Sequence, residues 1–382
     1  MDTITSLREW LDDLIYYFAY FPLVIQIAII VSVLAVTGTI VAYVYMILFR
    51  WQKQRQAKKE RPLREQVNEL LLEHIIYKSV GDPDAPVALP LEDFKALPLH
   101  KKWVADVLID QLLEYRNNFT GDIPRLLRQL YLDLGLHHKS ATVLRSGHRK
   151  AIINALVELS GMGVLLEKEH VLALTQSRDR YIRESACSYW VQCSPDAPFE
   201  FFSHVKEPLL AWEQFELFRI ISLRKDIPMP SFAQWIDPQY HPSVISLCLK
   251  LAAYFQQPEA IPAMIKMLDT PDEQLRALTI NNLGKLMALE VEPILVKMYP
   301  QQPDSCKLEI LKALGRIGSG DFIDFLRQEL EQTEDFLLMK HAAHSIVAHK
   351  ALASGLIARL QQSLTGTRQQ VLQHSLNPLI KY

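Results

Sequence analysis

The chain has 382 residues, with 41 Lys+Arg against 43 Asp+Glu and a formal net charge of −2. At 49% hydrophobic and 22% charged it is neither disordered nor collagen-like, and four cysteines are too few for a disulfide framework at this length. A pI near 6.6 gives no global attraction to nucleic acid.

From Leu14 to Phe49 no side chain is charged. Residues 22–49 read PLVIQIAIIVSVLAVTGTIVAYVYMILF, in which Gln26, Ser32, Thr37 and Thr39 are the polar side chains. As a helix this run extends about 42 Å, enough to cross a bilayer core with tilt. Aromatics gather at both edges: Trp10, Tyr16, Tyr17, Phe18 and Tyr20 before it, then Tyr43, Tyr45, Phe49 and Trp51 after it. That is the pattern of an interfacial belt. A cleaved signal peptide fits poorly, because the run is too long, lacks a basic start and lacks a small-residue cleavage site. The reading is therefore a transmembrane helix over 22–49, preceded by a short extracytoplasmic or interfacial segment over 1–21.

The flanks set the expected orientation. Asp2, Arg8, Glu9, Asp12 and Asp13 precede the span. Arg50, Lys53, Arg55, Lys58, Lys59 and Arg61 follow it, opposed by Glu60. Positive charge stays inside, so the N-terminus is expected outside and the rest in the cytoplasm of a cell with an inner membrane. The basic run is read as a topology signal, although it could also hold anionic headgroups. Within the span, Ala28, Ser32, Ala35, Thr39 and Ala42 place small residues on one stripe. Small residues let a second helix approach closely in lipid, so this stripe is the candidate packing surface for a membrane protein partner.

Residues 50–80 read as a basic juxtamembrane segment and a helix, with Leu63, Val67, Leu70, Leu71 and Ile75 on its apolar face. Residues 81–98 carry Pro83, Pro86, Pro90 and Pro98, which break helices and make a semi-stiff linker. From residue 99 to 382 short apolar helices alternate with Gly, Pro and Asp punctuation, and no stretch argues for a sheet.

That region repeats. Sliding residues 270–286 (TPDEQLRALTINNLGKL) by 31 places Leu275 on Cys306, Arg276 on Lys307, Leu283 on Leu314, Gly284 on Gly315 and Lys285 on Arg316. A further 31 reaches Leu337, Leu338, Ser345 and Ile346. Backward, Val244 lies 31 before Leu275 and Ile182 lies 93 before it. Residues 148–161 continue the series, and Pro262 and Pro293 mark first helices 31 apart. A pair of short amphipathic helices cannot bury its apolar face alone, so such units stack into a shared core. The expected fold is all-α: one N-terminal transmembrane helix followed by an α-solenoid of about 31-residue helical hairpins.

The repeats over about residues 120–382 resemble HEAT repeats, of the armadillo-like class. The resemblance rests on Pro near the start of the first helix, Asp in the turn and a basic residue opening the second helix. It implies a ladder between neighbouring repeats, carried here by Asp179 and Arg183, by Asp272 and Arg276, and by Lys307, whose spacing from Asp304 is one residue shorter. The period is closer to the short HEAT-like repeats of phycobilin lyases. The N-terminal span, the basic stop, RLLRQLYLDLGL, LLAWEQFELFRII and IPMPSFAQWI together resemble a bacterial family of membrane-anchored HEAT proteins encoded beside processive glycosyltransferases. That resemblance implies an association with envelope polysaccharide synthesis.

Sites of chemistry are scarce. No phosphate-binding glycine loop and no nucleophile elbow occurs. Gly318-Ser319-Gly320-Asp321 reads as a helix C-cap followed by an N-cap. His341 and His344 share a helix face with His349 just beyond, but no third ligand is placed, and His137-His138 point to different faces. Cys187 and Cys193 lack ligand spacing and read as small core residues. From Pro62 onward 34 Lys+Arg face 38 Asp+Glu, without the basic stripe of a nucleic-acid solenoid. The expectation is a non-enzymatic, membrane-tethered cytoplasmic scaffold that needs no cofactor, metal, nucleic acid or small-molecule substrate. Its expected partners are the lipid bilayer and a membrane protein, by resemblance a glycosyltransferase. The alternative is a lyase-type enzyme, by analogy with the short HEAT-like repeats.

Overall fold

The structure is a computed structural model and describes residues 16–18, 20–76, 89, 91–145, 148–377 and 379. Regular structure among these residues is helical throughout. The chain divides into two compact units, Met1–Leu136 and His137–Tyr382. Trp10, most of the segment before the span, and most of the proline-rich stretch after residue 80 lie outside the described residues.

In the first unit, helix α1 runs without interruption over Leu23–Leu71 and ends in a π-helical turn, Leu72–Ile76. It passes through Pro62, and it is the one helix among the described residues long and apolar enough to cross a membrane. Its polar side chains are satisfied locally. Ser32, Thr37 and Thr39 donate to the carbonyls of Ala28, Val33 and Ala35 at 2.7–2.8 Å. Such back-bonding removes the cost of carrying hydroxyls into an apolar medium. Only the far end of α1 has a buried face, made by Leu63, Val67 and Leu71.

That end packs on α3 (Lys102–Asn118), which follows a short α2 (Leu91–Lys95) and precedes α4 (Ile123–Asp133). Val104, Leu108 and Leu112 are the buried stripe of α3, at helical spacing. Around the contact, Arg64 lies 3.8 Å from Glu114, Tyr115 donates to Asn68, and Lys59 sits over the Trp103 ring. In the structure residues 102–133 complete the core of the juxtamembrane helix, because that helix has an apolar face with no other cover.

The second unit is a helical, solenoid-like stack. Its principal helices are α6 (Arg149–Met162), α8 (Arg180–Cys193), α9 (Ala211–Leu223), α10 (Pro242–Tyr254), α12 (Glu273–Lys285), α14 (Asp304–Ile317), α16 (Phe336–Ala348) and α18 (Gly366–Ser375). Six of these start 31 residues apart, and each of the eight packs on the next. Between them run α5 (His137–Leu144), α7 (Lys168–Leu174), α11 (Ile261–Lys266), α13 (Glu292–Met298), α15 (Ile323–Gln332) and α17 (Lys350–Ser363).

One position per repeat shows why the period is 31. Leu159, Trp190, Ile221, Ala252, Leu283 and Leu314 are all buried at that interval. An extra residue before α16 then moves the row to Ile346, so the step of 31 to Leu337, Leu338, Ser345 and Ile346 is one residue short of the structural register.

Two repeats depart from the expected hairpin. Where a first helix should stand there is only a 3-10 turn, Glu200–His204 in one and Phe232–Trp235 in the other. Pro195, Pro198 and Pro208 flank the former, and Pro228, Pro230 and Pro238 the latter, so neither stretch can extend as an α-helix. Aromatic volume fills the vacated layer. Phe199 packs edge-on to Phe232 at 5.4 Å, and Phe202 edge-on to Trp235 at 5.4 Å.

Candidate functional site

The ladder residues hold single repeats together. Asp179 is the N-cap of α8, accepting from the Tyr181 and Ile182 amides, and Asp272 caps α12 by accepting from Leu275. Arg183 donates to the Ser177 carbonyl at 2.8 Å and Arg276 to that of Thr270, six residues back in each case. Lys307 lies 3.8 Å from Asp304 and over the Tyr299 ring. Across repeats it is Arg149 that reaches Asp179, at 3.7 Å. The contacts of Arg183 and Arg276 thus lie within their own repeats, and Asp179 also meets a cation of the repeat before it. The N-cap claims the carboxylate, and the bare turn carbonyls claim the guanidinium.

Other expected features resolve similarly. Gly318 closes α14 with a left-handed backbone, whereas the N-cap of α15 is Phe322. His349 turns back to the Ser345 carbonyl at 2.7 Å. Burial, with Lys312 and Lys340 nearby, lowers His341 to about 4, and His344 is also lowered by burial. Burial pushes the thiols of Cys187 and Cys248 well up, so both stay protonated at neutral pH. Among the described residues no three or more His, Cys, Asp or Glu side chains gather as a metal site. Ala28, Ser32, Ala35, Thr39 and Ala42 lie exposed along α1.

The substantial cavity lies elsewhere. A cleft of about 810 Å³ opens across α9, α10, α12 and α14. Phe215 and Phe218 from α9 and Tyr254 from α10 give it an aromatic side, with Phe218 edge-on to Tyr254 at 5.1 Å. Phe215 is 58% exposed and Tyr254 54%, unusual for rings that could have turned inward. Lys250, Lys285 and Arg316 line the remainder, and no acidic side chain does.

Tyr254, Lys285 and Arg316 come from one row of the repeat, and Lys250 lies about one helical turn before that row. Gln192, Leu223, Tyr254, Lys285 and Arg316 are successive at 31-residue steps, so stacking turns a sequence period into a strip of surface. Close approach of the helices keeps the strip continuous. A Cβ on Gly284 would stand 2.7 Å from Ala313 Cα, and one on Gly315 would meet Ser345 Oγ at 2.6 Å. Gly284→Ala is accordingly expected to cost about 1–3 kcal/mol in chemical denaturation, because backbone must shift to admit the methyl. A cost below about 0.5 kcal/mol, the scatter of neutral surface changes, would show that this approach is not enforced.

The rim is strained in a repeating way as well. Gln256 and Met287 both hold φ of +51°, 31 residues apart, and the next step is Gly318. Each follows a principal helix and lets the residue beyond bond back: Gln257 N–H to the Ala252 carbonyl, and Ala288 N–H to that of Leu283. Glycine is the usual choice there. Here side chains are kept instead, and both line the cleft.

Electrostatics single out the three cations. The equivalents of Lys250 are Arg219 one repeat before it and Lys312 two repeats after it, with Asn281 between, and each of these two cations is neutralised by the glutamate three residues earlier on its own helix. Arg219 meets Glu216 at 2.6 and 2.9 Å, and Lys312 meets Glu309 at 2.6 Å. Three residues before Lys250, Lys285 and Arg316 stand Leu247, Asn282 and Ala313, so the i−3 ion pair is missing, although Glu309 lies near enough to act on Lys285 and Arg316 donates to the Asn281 carbonyl at 3.4 Å. Lys250 bonds the Gln214 amide oxygen at 3.2 Å instead. Burial, reinforced by a neighbouring cation, lowers both lysines: Lys285 acts on Lys250, and Arg316 on Lys285, which Glu309 partly offsets.

A second hollow of about 480 Å³ lies across α6, α8 and α9, lined by Val157, Glu184, Trp212 and Glu216 among others. Trp212 stacks on Phe215 at 5.7 Å.

Neither a family model nor a curated protein matches the chain. Among solved structures it is similar to a chain of the complex of CpcE and CpcF of phycocyanin lyase from Nostoc sp. PCC7120. The identity is 18% over 56% of this chain and 76% of that one, with a TM-score of 0.30. A likeness at that level carries no argument about fold or chemistry, and both rest here on the chain's own geometry.

Proposed function

We propose that the protein is a membrane-tethered cytoplasmic scaffold that docks a membrane protein partner on the cleft of its helical repeats. The single observation behind this reading is the cleft itself, where aromatic side chains are left half in water beside cations that lack their helix acid. Exposed aromatics beside arginine are an enriched composition of docking patches. The apolar run of α1 supports a bilayer anchor, and the basic residues from Arg50 to Arg61 support an orientation with the repeats inside the cell, at the inner membrane. The partner class follows the resemblance noted in the sequence: a glycosyltransferase of envelope polysaccharide synthesis, to which this chain would be a non-enzymatic accessory subunit.

The test is purification of the full chain in mild detergent. Stoichiometric recovery of one multi-span enzyme is expected. Phe215→Ala with Tyr254→Ala should reduce that recovery about thirtyfold, the loss corresponding to a hot spot of about 2 kcal/mol. Undiminished recovery with a correctly folded double variant would remove the cleft from the docking surface.

A further inference from the structure

The three cations of the cleft sit on three successive principal helices, α10, α12 and α14. Packed helices stand about 8–10 Å apart. Lys285 and Arg316 share a register and Lys250 stands about one turn earlier on its helix, an offset its long side chain can cover, so a ligand that meets all three carries negative charge at about that interval along its length. A polypeptide in the extended polyproline conformation advances about 9 Å in three residues and returns its side chains to the same face after three. Glutamate or aspartate at every third residue would put one carboxylate over each helix. The apolar end of the cleft, Phe215 on α9 and Tyr254 on the same helix as Lys250, can take an apolar side chain of the same segment.

We infer that the cleft binds an extended acidic segment of a protein partner, its carboxylates meeting Lys250, Lys285 and Arg316 and an apolar side chain lying on Phe215 and Tyr254. This rests on the docking reading above and deepens it by naming what is recognised.

Charge complementarity favours this occupant over other anions. A lipid headgroup concentrates its charge at one point and cannot neutralise a row of three helices. A nucleic acid would draw on a broadly basic body, whereas the second unit carries 26 Lys+Arg and 26 Asp+Glu and is neutral overall. Carboxylates also relieve what burial imposes on the two lysines, together with the charge of Lys285 on Lys250 and of Arg316 on Lys285; they add to the partial relief Glu309 already gives Lys285, so binding raises the affinity of both for protons. Proton uptake should accompany binding on the alkaline side. Affinity should fall as the pH rises through the lowered range of Lys250 and Lys285.

The experiment uses the full chain in detergent. The probe is a labelled synthetic peptide with a leucine pair followed by glutamate at every third position, compared with its glutamine counterpart and with a version whose glutamates are adjacent. The spaced glutamate peptide should bind, and the other two should bind at least about tenfold more weakly. Lys285→Gln and Arg316→Gln should each weaken it about tenfold. Both side chains reach the cleft, so unchanged thermal unfolding separates this loss from misfolding.

Equal binding of the glutamine peptide overturns the proposal. So does tighter, cation-dependent binding of a single-stranded oligonucleotide, or of vesicles rich in phosphatidylglycerol. If the cleft variants lose the native membrane partner while no acidic peptide binds, the docking reading stands and the acidic segment falls. If the peptide binds and the partner is indifferent to the variants, the chemistry of the cleft stands and the docking reading falls.

Discussion

Replacing Leu283 by alanine is expected to lower the stability of the repeat stack by about 2–5 kcal/mol. Leu283 is fully buried on α12, between the two principal helices that pack against it. Its counterparts before and after, Ala252 and Leu314, are buried as well, and small Ala252 leaves little slack for a second truncation beside it. The cavity would be bounded by helices whose separation is already set by Gly284 against Ala313 and Gly315 against Ser345, so the site cannot readily collapse. A stack of this kind couples through nearest neighbours, and the lesion should melt the repeats around α12 before the others. Hydrogen exchange resolved by segment would register this as loss of protection centred on residues 273–317. An unchanged denaturation midpoint for Leu283→Ala or Leu314→Ala would mean that the buried row is not the core of the stack.

Removal of residues 1–61 is expected to cut partner recovery by about a hundredfold to ten-thousandfold. On the proposed function, a membrane anchor and a docking cleft act as two linked contacts. The second then forms at the effective concentration set by the connection, not at the bulk concentration. The repeats should fold without the anchor, because the second unit has its own core. A subtler pair of variants isolates the contact inside the bilayer. Ala35→Leu with Ala42→Leu keeps α1 at least as apolar, so insertion should persist, while the larger side chains hold another helix away. Weaker recovery with normal insertion is the expected result. Full recovery from this double variant would reduce α1 to an anchor, and full recovery without residues 1–61 would dismiss the membrane partner.

Much of the architecture was legible because repetition is a one-dimensional signal. The interval from Leu275 to Cys306 and from Leu283 to Leu314 appears in the chain as a plain period, and stacked helices turn that period into a buried row. The apolar run of residues 22–49 was equally plain, since length and the absence of charge need no partner to be read.

The departures share one cause, which is that a neighbour decides them. Residues 102–118 look like the start of an array, yet they join the first unit because Val67 and Leu71 need cover. Glu213 sits 31 residues from both Ile182 and Val244, at a position that is apolar in the adjacent repeats. It is buried there because Arg180 reaches it at 3.0 Å and the Leu210 amide donates to it at 2.7 Å. The sequence period skips over it for that reason. Local contacts at Asp179, Arg183, Asp272 and Arg276 were likewise not legible: the carboxylates cap their helices and the guanidinium groups meet turn carbonyls.

The sequence alone determined the helical class, the period, and one helix fit to cross a membrane, because each depends on patterns along a single dimension. The candidate site was decided by tertiary structure. Lys285 and Arg316 were visible as a matched pair in the repeat, but only as register. Stacking brought them beside Lys250, Tyr254 and Phe215, and it showed that Arg219 and Lys312 pair with a glutamate three residues earlier, a position that is Leu247, Asn282 or Ala313 for the cleft cations. Whether a charge is neutralised depends on distance in space, and that is fixed only when four helices have packed.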